Sequence, residues 1–191
     1  MILSKKIMVP IILFIAAVIT TVYLQASSPM SSRTESEDLT LQEALELGMA
    51  TAWEWDSSAV PFYLTSVDDE LGTSSGHQGK RERWNLQVGT PDNKRAVIAI
   101  RKGAIEGLYP GVGPFVETHV INREEVVFDS PELLSRSKTE HDLLPGKDWA
   151  NGYHFVLQVL DGQSTITVIG LDKALHQQKI VFESSSSVTM N

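Results

Sequence analysis

Between residues 84 and 88 apolar and polar side chains alternate, with Trp84, Leu86 and Val88 set against Asn85 and Gln87. A period of two places one strand face on a core and the other in water. Pro91-Asp92-Asn93 then supplies a turn, since proline pre-sets φ and asparagine tolerates unusual backbone angles. A returning run over residues 95–102 carries Ile98 and Ile100 on one face, so residues 80–105 predict one antiparallel hairpin. The layout recurs over residues 153–182, where Phe155, Leu157 and Val159 alternate before the hairpin signal Asp161-Gly162, and Ile166 and Val168 follow. The tripeptide Leu86-Gln87-Val88 returns as Leu157-Gln158-Val159, a hint of duplication.

Helical spacing precedes the first hairpin. Thr40-Leu41-Gln42-Glu43 is a capping box, in which hydroxyl and carboxylate satisfy otherwise orphan backbone donors. Leu41, Ala44, Leu45, Gly48, Ala52 and Trp55 then share one helix face. Gly48 costs about 1 kcal/mol of helix propensity against alanine, which predicts close approach of the helix to a sheet. Asp56-Ser57-Ser58 ends the helix, and Val60, Phe62 and Leu64 alternate with Tyr63 and Thr65 as a strand. A polar loop covers residues 68–80. Glycine and proline density marks residues 107–114 as a linker, and residues 115–121 and 125–128 are short strand candidates. Ser130-Pro131 opens a second helix with serine as N-cap and Leu133 and Leu134 on its apolar face; Leu144-Pro145-Gly146 breaks the pattern. Residues 184–191 form a polar, disordered tail.

This order predicts an α+β fold, helices packed on antiparallel sheet, built from two related helix-and-hairpin halves at residues 39–106 and 115–183. Ahead of them, Lys5 and Lys6 precede eighteen uncharged residues, 7–24. At about 1.5 Å each these span about 27 Å, close to a bilayer core of about 30 Å. Residues 1–26 are therefore a transmembrane anchor or a signal peptide cleaved near Ala26, although Leu24 suits the latter poorly. Residues 27–38 are a polar linker. The positive-inside rule places the remainder outside the cytoplasm, either tethered to the membrane through residues 7–24 or secreted.

Charge and composition then narrow the partners. The 191 residues carry a formal charge of −8 and no cysteine. The acidity argues against nucleic acid, and thiol catalysis, disulfides and thiolate metal sites are excluded. Gly72-Thr73-Ser74-Ser75-Gly76 has the letters of a nucleophile elbow around Ser74, but an elbow joins a strand to a helix and this loop leads to a strand. His77, His119, His141, His154 and His176 lack metal-ligand spacing, and His154 reads as an outward strand position. Asp68-Asp69-Glu70 reads as a solvated acidic loop, without the order of a calcium site. No cofactor is implied. Lys80-Arg81-Glu82-Arg83 is a basic cluster at a strand end, and Arg81, Arg83 and Arg101 would be the contacts for an anionic wall polymer. Trp149 and Tyr153 put two large aromatics in a loop rich in turn formers and, with Tyr109, are the candidate contacts for a protein partner.

Residues 53–59 (WEWDSSA) leading into the strand at 62–66, with Gly79-Lys80 before Trp84, resemble the PepSY-like class of bacterial extracytoplasmic domains. Residues 129–155, DSPELL followed by LLPGKDWANGYHF, resemble the second copy of two-copy members, so the resemblance covers residues 39–183. It departs from the pattern in lacking a clear strand between the second helix and its hairpin. The resemblance implies no catalytic residues and a role in regulating or inhibiting peptidases or in envelope sensing. The expected function is thus a non-catalytic, membrane-tethered extracytoplasmic binding module that regulates, inhibits or scaffolds another envelope protein. The alternatives are an envelope hydrolase working from the loop at 68–80 and a wall-polymer binding module.

Overall fold

Thr40 starts the first helix as its capping box requires. Its hydroxyl accepts from Glu43 N at 3.2 Å, and the Glu43 carboxylate accepts from Thr40 N at 2.8 Å. These belong to a computed structural model that describes residues 38–68, 76–147 and 151–184. Helix α1, Leu41–Trp55, buries Leu41, Ala44, Leu45, Gly48, Met49 and Ala52. Asp56 ends it, its carboxyl held at a pKa of about 2 by hydrogen bonds from Ser58 and from Lys94.

Strand β1 follows at Val60–Val67, then β2 at Arg83–Gly89, β3 at Lys94–Arg101 and β4 at Ala104–Val112. Helix α2, Ser130–His141, precedes β5 at His154–Leu160, β6 at Gln163–Leu171 and β7 at Gln177–Glu183. All seven strands form one antiparallel sheet in the order β4-β3-β2-β1-β5-β6-β7. Strand β1 is therefore the centre, with one three-stranded meander on each side. Leu64 pairs with Leu86 on one flank and Leu157 on the other, and Tyr63 with Gln87 and Gln158. The repeated tripeptides bracket the same two residues. Asp161 and Gly162 both take positive φ, 51° and 79°, which is what a two-residue turn matched to strand twist demands.

Both helices lie on one face. A Cβ on Gly48 would come within 2.6 Å of Leu86 Cδ2, so α1 rests directly on β2, as its glycine predicts. Leu133 and Leu134 of α2 enter the same buried cluster as Leu157, Ile166 and Phe182. Trp84, Leu86, Val88, Ile98 and Ile100 are buried as their alternation predicts.

Four expectations change. Residues 107–112, read as part of a linker, belong to β4; an edge strand bonds on one side only, so it accommodates Pro110, which has no donor. Residues 115–121 and 125–128 are not strands but carry 3₁₀ turns, Glu117–His119 and Arg123–Glu125. Their apolar residues plug the end of the sheet, with Ile121 and Val126 buried and Ile121 N donating to Pro61 O at 2.9 Å. The N-cap of α2 is Asp129, one residue earlier than Ser130, its Oδ1 accepting from Ser130 N at 2.7 Å. Ser184 is buried and its backbone bonds to Ser164 O and Val127 N. The rest of the expected tail, the segment at residues 1–26 and most of the linker lie outside the described residues. Among the described residues no helix is long and apolar enough to cross a membrane.

Candidate functional site

The face of the sheet turned away from the helices carries the opposite parity of each strand. Its register can be followed from edge to edge: Tyr109, Val97, Gln87, Tyr63, Gln158, Thr165 and Glu183 stand side by side on seven successive strands. Beside that row run Gly107, Ala99, Asn85, Thr65, Val156, Thr167 and Val181, all of modest size. Among the described residues neither α1 nor α2 packs on this face, but the 3₁₀ turn Glu117–His119 meets β5, and Val156, Thr165 and Thr167 are buried. Tyr109 is 59% exposed, Gln87 is exposed, and Tyr63 and Gln158 are half-buried. The amides of Gln87 and Gln158 and the Tyr63 hydroxyl have no hydrogen-bond partner among the described residues. An amide offers donors and an acceptor together, so this row presents unspent polar capacity around a central aromatic ring.

Two hollows meet here, of about 340 and 300 Å³, sharing Gln87 and Arg95. Tyr109, Val97 and Pro114 line the first; Tyr63, Gln158 and His119 line the second. Arg95 stands between them, held with its guanidinium 4.1 Å over the Phe62 ring and donating to Pro114 O. Phe62 in turn meets Phe115 edge to face, with centroids 5.6 Å apart.

At the opposite end of the strands lies a buried polar cluster that overturns one expectation. Arg81 is not a solvated contact: it is fully buried. Its guanidinium donates to Asn151 O at 3.0 Å, Tyr153 O at 3.4 Å and Val67 O at 2.9 Å, and pairs with Asp68 Oδ1 at 3.3 Å. Gly76 and Gly79, both at positive φ, turn the preceding segment so that this cationic side chain enters the protein. His154 keeps the strand parity of Val156 and Gln158, on the face away from the helices, but is not solvated, its side chain being 14% exposed. Its Nε2 lies 2.9 Å from the same Asp68 Oδ1, though not in line for a well-formed hydrogen bond, and its Nδ1 is 3.2 Å from Ser66 Oγ. Burial lowers the His154 pKa, the Arg81 charge lowers it further, and Asp68 and Ser66 act in the opposite direction. Ser66, His154 and Asp68 thus form a hydroxyl–imidazole–carboxylate chain of the type that activates nucleophiles. Here Ser66 is 5% exposed and its Oγ accepts Phe155 N at 3.0 Å. The arrangement ties β1 to β5 and leaves the hydroxyl no approach for an acyl group.

The remaining candidates separate. Tyr153 is buried, its hydroxyl donating to Leu143 O at 3.2 Å, so it is a core residue and not a partner contact. Trp149, Ser74, Asp69 and Glu70 lie outside the described residues. Arg83 is half-buried beside Glu106 at 3.8 Å, and Arg101 pairs with Glu82 at 3.3 Å and Glu106 at 3.5 Å. Of the expected contacts, Tyr109, Arg83 and Arg101 all have the strand parity of the face turned away from the helices. Among the described residues no group of three potential metal ligands comes together. Sequence reasoning missed Tyr63, Gln87, Gln158 and Arg95; the signal was the polar middle letter of the repeated tripeptide, which falls on the solvent side of both strands.

Compared with protein-family models, characterised proteins and solved structures, the chain matches none at a significant level.

Proposed function

We propose that the protein is a non-catalytic binding module, and that the sheet face turned away from the helices receives, around Tyr63, an extended segment of a protein partner. One observation carries this: Gln87 and Gln158, unpartnered among the described residues, flank Tyr63 on adjacent strands. Strands two apart are separated by about 9.6 Å, and an extended chain covers about 10 Å in three residues. A peptide lying across the strands would therefore bring its peptide groups at i and i+3 to the two amides, with the Tyr63 ring beneath the residues between. The hollows on either side of Arg95 would take its side chains. Placement outside the cytoplasm, tethered through residues 7–24, and kinship with PepSY-like domains belong to the same reading. They rest on the N-terminal apolar run and on the order of helix, strand and hairpin.

The test is selection of peptides from a displayed random library on the full chain, repeated with Gln87→Ala/Gln158→Ala. Peptides held by the wild type and lost by the variant, with unchanged thermal melting, are the expected result. Absence of any enriched peptide, or indifference to the double change, overturns the reading. Labelling of a serine of the chain by a fluorophosphonate would favour the hydrolase alternative instead.

A further inference from the structure

The two edges of the sheet differ in what they offer. Strand β4 carries Pro110, which has no donor, and glycines at 107 and 111 that weaken pairing. Strand β7 reads Gln-Gln-Lys-Ile-Val-Phe-Glu, with neither proline nor glycine, and no described strand pairs with its outer side. Such an edge is a template for another strand unless something covers it. Along β7, Lys179, Val181 and Glu183 are exposed on the face turned away from the helices, whereas Ile180 and Phe182 turn into the core.

We infer that β7 pairs antiparallel with β7 of a second copy, on a two-fold axis through Val181. The spacing is self-complementary. With Val181 opposite itself, Lys179 faces Glu183 of the second copy and Glu183 faces its Lys179, so two cross-strand ion pairs form on one face. On the other face Ile180 lies opposite Phe182 twice and the two cores become continuous. A two-fold through Ile180 instead sets Lys179 against Val181 and forms neither ion pair. Opposite charges directly across a pair stabilise and like charges repel, so the charges choose the register. Val181 is 52% exposed in the single copy, and pairing with its own counterpart removes that apolar surface from water. Ladder pairing stops beyond Glu183, where Ser184 turns to bond Ser164 and Val127. The contact is therefore short, and dimerisation is expected to depend on concentration.

The natural absence of cysteine makes the register directly readable. Directly opposed residues of an antiparallel pair have Cα atoms about 4.5 to 5.5 Å apart, within the range a disulfide spans. The full chain carrying Val181→Cys should form a disulfide-linked dimer on mild oxidation. The same chain carrying Val112→Cys, 92% exposed on the other edge, should remain monomeric. In the Val181→Cys background, Lys179→Glu or Glu183→Lys alone should reduce linkage at least fivefold, and both together should restore it. No linkage at position 181, or equal linkage at 112, overturns the dimer. Linkage indifferent to the charge reversals overturns the register.

Discussion

The hydroxyl of Ser130 accepts the backbone N–H of Leu41 at 2.9 Å and donates to Gly79 O at 2.6 Å. Beside it, Asp129 Oδ1 accepts Gln42 N at 3.1 Å as well as Ser130 N, so one pair of side chains ties the first turns of both helices together. Ser130 is fully buried. In Ser130→Ala the Leu41 N–H and Gly79 carbonyl lose these bonds without gaining water. Urea unfolding should show a loss of about 2 kcal/mol with helical circular dichroism intact.

Gly48→Ala sets two effects against each other. Alanine gains about 1 kcal/mol of helix propensity, but its Cβ meets Leu86 Cδ2 at 2.6 Å and Ile100 Cδ1 at 3.4 Å, both in a buried core. Overpacking of this kind costs about 1 to 3 kcal/mol, so the variant should be less stable than wild type. Combining it with Leu86→Ala should cost less than the sum of the two single changes, because the clash is then relieved.

Arg81→Met removes the cation that three carbonyls and Asp68 share. Breaking one partner of a buried charged set costs about 3 to 5 kcal/mol, and the loss should be little changed by salt. Arg83→Met, at a half-buried ion pair, should shift stability by less than about 1 kcal/mol. Chemical denaturation of both variants at low and high salt separates a structural Arg81 from a surface one.

The His154 pKa is lowered in the folded protein, chiefly by burial and then by Arg81. The unfolded chain therefore binds a proton that the native state resists. The full stability contribution is present above the unfolded value of about 6.5 and is lost as pH falls toward the lowered native value. Denaturation midpoints measured from pH 7.5 downward should fall in that window, and His154→Gln should flatten the slope.

Much of the fold was legible because it follows local rules. The capping box at Thr40, the alternation through Trp84 and Leu86 and the Asp161-Gly162 turn each act within a few residues. Gly48 even disclosed a tertiary contact, since a glycine amid good helix formers calls for a close neighbour. The order of strands was less accessible: that β1 serves both meanders depends on pairing with β5, far along the chain. Arg81 misled because a basic run with a glutamate has the composition of a solvated strand end. The fold of residues 76–79, the carbonyls of Val67, Asn151 and Tyr153 and the Asp68 carboxylate together make its burial tolerable. Residues 115–128 misled for a related reason: their apolar side chains serve an end of the sheet, where nothing enforces a period of two. Tyr153 and His154 took their roles from partners in other segments, the Leu143 carbonyl and Asp68.

The central position of β1 also sets an order of events during synthesis. Its partner β2 begins 16 residues after β1 ends, whereas Thr65 waits for Val156, on the order of 90 residues later. A chain made or threaded from its N-terminus passes through an interval in which α1 and β1 to β4 are complete. In that interval the β5-facing edge of β1 is open, with Tyr63, Leu64 and Thr65 along it. Closing that edge is the late, non-local step. The half-finished chain is consequently the form most exposed to chaperones, proteases and its own neighbours.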